Sequence, residues 1–331
     1  MFFSAATRRT GLPLVATICV TATAYLAACG APAQQRDSAG SSADSSASEP
    51  LARALTVPVA ADTDDFGAPL PTDATHATRI VSLNPMATEV LFAIGAGDRL
   101  VGRSAWDEFP EAAKRVPSAG DGIKPNVEAV LGLRPTLVIL YATAENRAAA
   151  SAFARAGVRT MSLRVDHIAD FVSFTRRLGV AVGEVDRATV VRDSVTRTLD
   201  AVRIAMQGVE ARRVVWPVWL SPVMVIGGGS FIDELLVIAG AENSFHEHAS
   251  PSPQVSVEEI ARRDPEFVVA SASQAENLAA SAPWRAVRAV REGRFVRHDP
   301  AVTGRPSVTL GMAAVQLARA LHPERAGALP K

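Results

Sequence analysis

The amino-acid sequence predicts an α/β protein of two lobes, each a mostly parallel sheet flanked by helices, joined by one long bridging helix. Three observations predict it. Short apolar strands alternate with helical stretches, as in RIVSL (79–83), ATEVLFAIGAG (87–97) and TLVILY (136–141), the pattern of a parallel sheet with crossover helices. Motifs then recur in the same order: Val127-Glu128 and Pro135 match Val257-Glu258 and Pro265 at an offset of 130, and Glu89-Val90-Leu91 with Gly95-Ala96 matches Glu234-Leu235-Leu236 with Gly240-Ala241 at an offset of 145. Repetition of this kind is the signature of a duplicated structural unit. Between the halves, Val191, Val195, Leu199, Val202 and Met206 form one apolar stripe in a stretch, 185–206, without Pro or Gly. That is an amphipathic helix about 33 Å long, enough to lie across two lobes. A stiff spine of this length limits how far the lobes swing, so ligand binding is expected to change their geometry little.

The chain starts with an address. Arg8 and Arg9 precede an apolar run that ends in Leu26-Ala27-Ala28-Cys29, too short for a membrane span of about 20 residues. It is similar to a bacterial lipoprotein leader, with 1–28 removed and Cys29 lipidated; whether export is general secretory or twin-arginine stays open. Residues 29–76, rich in Ala, Ser, Asp and Pro, read as the lipidated Cys and a flexible tether. The remaining divisions are an N-terminal lobe over 77–182, the bridging helix over 183–210 and a C-terminal lobe over 211–326.

With 34 basic and 34 acidic residues in 331, the chain has no net field to attract nucleic acid. Cys19 and Cys29 are the only cysteines, so the folded part has neither a disulfide framework nor a thiolate metal site. No GxSxG elbow, HExxH or P-loop occurs. The reading is a binder without catalytic residues or resident cofactor, monomeric and without nucleic acid.

Within the lobes, Asn84-Pro85 opens a helix that Gly95 closes. Asn126 and Ser256 are N-caps, Ser256 forming a capping box with Glu259, which puts Glu128 and Glu258 in the first turn of equivalent helices. These two acids either complement the helix dipole or present a matched pair, one per lobe, to a partner with paired basic residues.

RIVSLNPMATEVLFAIGAGDRLVGRSAWDEFP, NVEAVLGLRPTLVILY, GGGSFIDELLVIAGAENSF and PQVSVEEIARRDPEFVVA together resemble the periplasmic binding proteins with a helical backbone, which serve ABC importers of cobalamin, haem and ferric siderophores. The resemblance covers about 78–325 and implies two Rossmann-like lobes with the ligand between them. The order of motifs is most similar to the cobalamin branch. That resemblance implies ligand contacts at Trp106 and Tyr141, permease docking through Glu128 and Glu258, and an ABC permease with its ATPase as partners. Asp121 and Ser252 stand where further tryptophans of the branch would fall. Haem or a ferric siderophore is the alternative ligand within the class, and a metal-dependent enzyme on the related α/β plan the alternative outside it.

A corrinoid or porphyrin is flat, with an apolar face and polar edges, and needs aromatic walls plus a few polar groups. Trp106, in a polar loop, is the first candidate. Tyr141 closes a strand, where parallel sheets present their binding ends. Trp216 and Trp219, read as one strand, face opposite ways; Trp219 is taken for the cleft and Trp216 for the core. Gly228, Gly229 and Ser230 form either a turn where backbone approaches the ligand or a simple tight turn before a helix. His246 or His248 is either solvated or an axial metal ligand, and Arg305 either binds a polar ligand edge or makes a surface salt bridge.

Overall fold

The computed structural model describes residues 63–72 and 77–331; the expected leader, Cys29 and most of the expected tether lie outside the described residues. The first lobe is built from β1 (Ile80–Ser82), α1 (Pro85–Ala93), β2 (Leu100–Arg103), α2 (Val127–Gly132), β3 (Leu137–Tyr141), α3 (Ala144–Arg155), β4 (Arg159–Leu163) and α4 (Ile168–Val182). Its four strands run parallel in the order β2-β1-β3-β4. β3 buries Leu137, Val138, Ile139 and Leu140 on both faces, as a sheet covered by helices on both sides requires.

The second lobe contains β5 (Arg212–Val215), β6 (Pro217–Leu220), β7 (Val223–Val225), α6 (Phe231–Ile238), β8 (Ala241–Asn243), α7 (Val257–Arg263), β9 (Phe267–Ala270), α8 (Ala272–Ala280), α9 (Arg288–Arg291), β10 (Phe295–Arg297), α10 (Pro300–Thr303) and α11 (Leu310–Leu321). Its parallel sheet has the order β10-β9-β5-β8. Read from the other end, this is the order of the first lobe: the opening strand lies between the second and the third, and the fourth lies outside the third. The duplication inferred from sequence is therefore a duplication of topology. What the second lobe adds is the antiparallel hairpin β6–β7, inserted between β5 and α6.

Between the lobes, α5 (Val185–Ala205) is a single helix of 21 residues, about 32 Å long. It buries Ala188, Val195, Leu199 and Val202, with Met206 just beyond its end. That face packs on α4 and α1 of the first lobe and on α11 and α6 of the second, so one apolar stripe belongs to both cores.

The lobes are also tied by polar groups. Glu89 of α1 accepts a hydrogen bond from Arg305 in the α10–α11 loop. Glu234 of α6 reaches the other way: Oε2 accepts from Ile168 N at 2.8 Å and Oε1 lies 2.7 Å from His167 Nδ1, at the start of α4. Next to it, Phe231 N donates to Asp166 O at 2.8 Å. Glu89 and Glu234 are the pair matched at the offset of 145.

The end of the expected tether is not free. In 63–72, Asp64 is buried; one carboxylate oxygen accepts from Phe66 N and Ala68 N, both at 2.9 Å, and the other from Ser162 N at 2.9 Å. Asp65 N donates to Ser162 O at 3.0 Å and Asp65 Oδ2 accepts from Arg164 N at 2.6 Å, while Arg147 lies 4.4 Å over the Phe66 ring. The segment thus covers the open edge of β4, whose backbone groups would otherwise lack partners. Asp-Asp-Phe-Gly at 64–67 is the turn signature that a composition argument passes over.

Candidate ligand-binding cleft

Tyr141 ends the parallel strand β3 and Trp106 lies in the loop beyond β2, where such sheets place their sites. The loop after β2 turns on Asp107. Its buried carboxylate accepts from the hydroxyls of Thr88 and Ser104 and from Ser104 N at 3.3 Å, while Trp106 N donates to Ser104 Oγ at 3.2 Å. With the polar groups turned inward, the Trp106 ring is left 64% exposed. Burial raises the Asp107 carboxyl above its usual range, against the lowering effect of the Ser104 and Thr88 hydrogen bonds.

Trp106, Tyr141 and Arg305 line one cavity of about 380 Å³, with Met86, Ile123 and Pro306 among the apolar members of its wall. The Tyr141 hydroxyl donates to Asp166, and burial followed by that bond pushes the phenol well above its ordinary range, so it stays protonated. Asn146 Nδ2 bridges Gly122 O at 2.9 Å and Tyr141 O at 3.0 Å, fixing the Ile123 loop against the end of β3. Arg305 is the only charged side chain in this wall. Behind it, desolvation raises the fully buried Glu89 carboxyl, and the Arg305 guanidinium opposes that rise.

A second cavity, of about 450 Å³, opens on the other lobe and shares Gly304 with the first. Trp216, Pro217, His298, Gln274 and Asn277 are in its wall, and none of its lining residues is a Lys, Arg, Asp or Glu. The two cavities together give an apolar, amide- and hydroxyl-edged cleft between the lobes. A flat ligand with polar rims fits this chemistry.

Several expected site residues are placed elsewhere. Trp216 and Trp219 do not share a strand, because the chain leaves the central sheet at Trp216 and Pro217 starts the hairpin. Trp216 is buried in the core as expected, and its ring also forms part of the cavity wall, 4.5 Å from the His298 ring. Trp219 is 60% exposed, donates Nε1–H to Ser221 O at 2.8 Å, and lines neither cavity. The glycines approach protein and not open space: a Cβ on Gly228 would stand 2.0 Å from His246 O, and one on Gly229 2.1 Å from Ala249 O. Ser230 is the N-cap of α6, accepting from Asp233 N at 3.2 Å. His246 Nδ1 lies 2.7 Å from Asp233 Oδ2, and His248 faces Glu247 at 3.4 Å; neither histidine lines the cleft.

Glu128 and Glu258 are both exposed at the second position of α2 and α7, and neither has an ion-pair partner among the described residues. The N-caps act as expected, Asn126 accepting from Ala129 N at 3.0 Å and Ser256 from Glu259 N at 3.1 Å. The capping box does not close: the Glu259 carboxylate pairs with Arg263 at 3.0 Å instead.

Comparison with known proteins decides the class. A family model described as "Periplasmic binding protein" matches residues 80–302. The chain belongs to the periplasmic binding protein family. Proteins of this family are substrate-binding proteins of transporters and not enzymes. A vitamin B12-binding protein of Yersinia pestis is 27% identical over 231 residues, covering 68% of this chain and 82% of that one. Among solved structures, an apo periplasmic heme-binding protein from Roseiflexus has a TM-score of 0.68 at 22% identity, covering 75% of this chain and 99% of its own. A periplasmic vitamin B12-binding protein of Vibrio cholerae has a TM-score of 0.66 at 22% identity, covering 75% and 97%. These two share the fold with the present chain. Among the described residues no helix is long and apolar enough to cross a membrane.

Proposed function

We propose that this periplasmic binding protein is the receptor of an ABC importer for cobalamin or a related corrinoid, tethered to a membrane by acyl chains on Cys29. The corrinoid is held in the inter-lobe cleft as cargo, and Glu128 and Glu258 dock the loaded receptor on the permease. The observation that carries this reading is the charge of the cleft. Its one lining cation, Arg305, is matched by Glu89, and the rest of both walls is aromatic, apolar, amide or hydroxyl. A ligand whose edge is made of carboxamides finds neutral partners there; haem, with two carboxylates, would bring charge that only an already paired guanidinium could meet.

The test is calorimetric titration of the purified full-length chain with cyanocobalamin, hemin and a ferric hydroxamate. Saturable binding of cyanocobalamin in preference to the other two is the expected result, and preference for hemin or the hydroxamate would hand the assignment to the alternative ligands. Trp106→Ala should weaken cyanocobalamin binding by about 2 kcal/mol, as loss of an anchoring ring does, without lowering the melting temperature, because the ring is mostly exposed. The variant Glu128→Ala/Glu258→Ala should bind as tightly as the parent yet fail in reconstituted transport; undiminished transport would remove the docking role.

A further inference from the structure

His298 directly follows β10 and lines the second cavity, and nothing in the binding of an inert flat ligand requires a histidine there. Its hydrogen bonds decide which ring nitrogen carries the proton. Thr303 Oγ1 donates its single proton to Asp299 O at 3.1 Å. The same oxygen lies 2.7 Å from His298 Nδ1, so it must accept there, and Nδ1 carries the hydrogen. Nε2 is then a bare lone pair, with no protein partner among the described residues. The ring is held from one side by Trp216 at 4.5 Å and on one edge by Thr303, itself buried. An imidazole oriented through one nitrogen and open at the other is the usual arrangement of a metal-ligating histidine. Burial, acting against the Asp299 charge, lowers the His298 pKa and keeps the imidazole neutral at neutral pH, the form that binds metal.

We infer that His298 Nε2 is an axial ligand to the metal of the cargo, and that among corrinoids the receptor holds those with an exchangeable axial position more tightly than those without one. This rests on the reading of the cleft as a site for such chelates. Among the described residues no group of three His, Cys, Asp or Glu side chains could hold a metal ion, so a metal met by one imidazole has to arrive with its other ligands already in place. With aquocobalamin the step is a ligand exchange: the Nε2 lone pair forms a cobalt–nitrogen bond, the cobalt–oxygen bond to water breaks, and the water leaves with both its protons. The oxidation state of the metal does not change, and the hydrogen stays on Nδ1, donated to Thr303 Oγ1. Cyanocobalamin, whose axial positions are held by cyanide and by its own base, should enter the cleft without this exchange.

The experiment is visible absorption of aquocobalamin, cyanocobalamin and hemin titrated into the full-length chain, with calorimetry in parallel. Aquocobalamin should change from the aquo to the imidazole-bound spectrum on binding, whereas cyanocobalamin binds with its spectrum unchanged. His298→Ala should still bind both but lose the spectral change, and added free imidazole should restore it by entering the vacated space. Thr303→Val, which removes the oxygen that fixes the tautomer, should weaken the aquocobalamin preference by about tenfold or more. Binding of aquocobalamin to the parent protein without a nitrogen-ligand spectrum, or the same spectrum in His298→Ala, overturns the inference while leaving the corrinoid receptor standing. Failure of all three chelates to bind, read by calorimetry, overturns the receptor reading and this inference together.

Discussion

Glu89 and Glu234 occupy matching places in the two lobes and each reaches into the opposite lobe, yet they live in different solvents. The Glu89 side chain is fully buried and its partner Arg305 is 24% exposed; Glu234 and its partner His167 are 36% and 45% exposed. In the wet clasp both side chains stay within reach of solvent, and a contact between such groups contributes no more than about 1 kcal/mol even when both are charged. In the dry one, taking a carboxylate out of water costs several kcal/mol, offset only while the guanidinium stays beside it. The same residue type at the same repeat position is thus a weak fastener in one lobe and a committed charge in the other. The committed one lies behind the ligand wall. Duplication supplied the glutamates; burial decided what each can do.

The largest effect that would expose this difference is removal of one partner from the dry clasp. Arg305→Ala leaves Glu89 buried without its cation and should lower stability by about 3 kcal/mol at neutral pH, measured by chemical denaturation. Adding Glu89→Gln to that variant should recover part of the loss, since the buried charge is then gone. If Arg305→Ala cost no more than an exposed pair, the contrast between the clasps would be lost.

The next effect is on pH dependence. Desolvation raises the Glu89 and Asp107 carboxyls above their usual range, so between the unfolded and folded pKa values the native state binds more protons than the unfolded chain. Stability then falls as pH rises through that window, by at most about 1.4 kcal/mol per pH unit for each group. Carboxylates held low by partners, such as Asp264 beside Arg288, act in the opposite sense and below the ordinary carboxylate range, so the two windows separate. Melting curves from about pH 4 upward should show the decline, and Asp107→Asn, which takes one of the two groups out of the titration, should flatten it. A slope unchanged by that substitution would show that the layer beneath Trp106 does not titrate there.

How much of this was legible in the sequence depends on whether a signal was local. The strands around 80, 137 and 267, the bridging stripe and the doubled topology all follow from periodicity and repeat spacing, because each reflects which side chains must leave water. That Trp106 and Tyr141 would face a cavity was legible for a related reason, a large ring in a polar loop and a ring at a strand end. Glu89 was visible only as a repeat match, since nothing local shows that a helix residue 216 positions from Arg305 meets it. His298 carried no local signal either; its proton assignment depends on a threonine hydroxyl five residues on, and its ring is held by Trp216, which lies between β5 and β6. The glycine run and the His246 loop misled because glycines that accommodate a neighbouring backbone and glycines that admit a ligand look the same in sequence. The β6–β7 hairpin misled through Trp219, where Pro217 marked a break that the run of apolar residues concealed.

The smallest effect is in the wet clasp, and it sharpens the comparison most. Glu234→Gln keeps an oxygen that can accept from Ile168 N and removes only the carboxylate charge at the start of α4, an interaction with the helix dipole that salt screens. The start of α4 is not left bare in any case, because Asp170 Oδ2 accepts from His167 N at 2.9 Å and from Asp166 N at 3.1 Å. The expected loss is therefore about 0.5 kcal/mol at low ionic strength, vanishing near 1 M salt where charges are screened within about 3 Å. Glu234→Ala should cost more, about 1 kcal/mol, because one amide of the first turn of α4 loses its acceptor. Denaturation at two ionic strengths separates the cases: a Glu234→Gln penalty that matches Arg305→Ala, or that persists in salt, would mean that the second clasp is as dry as the first.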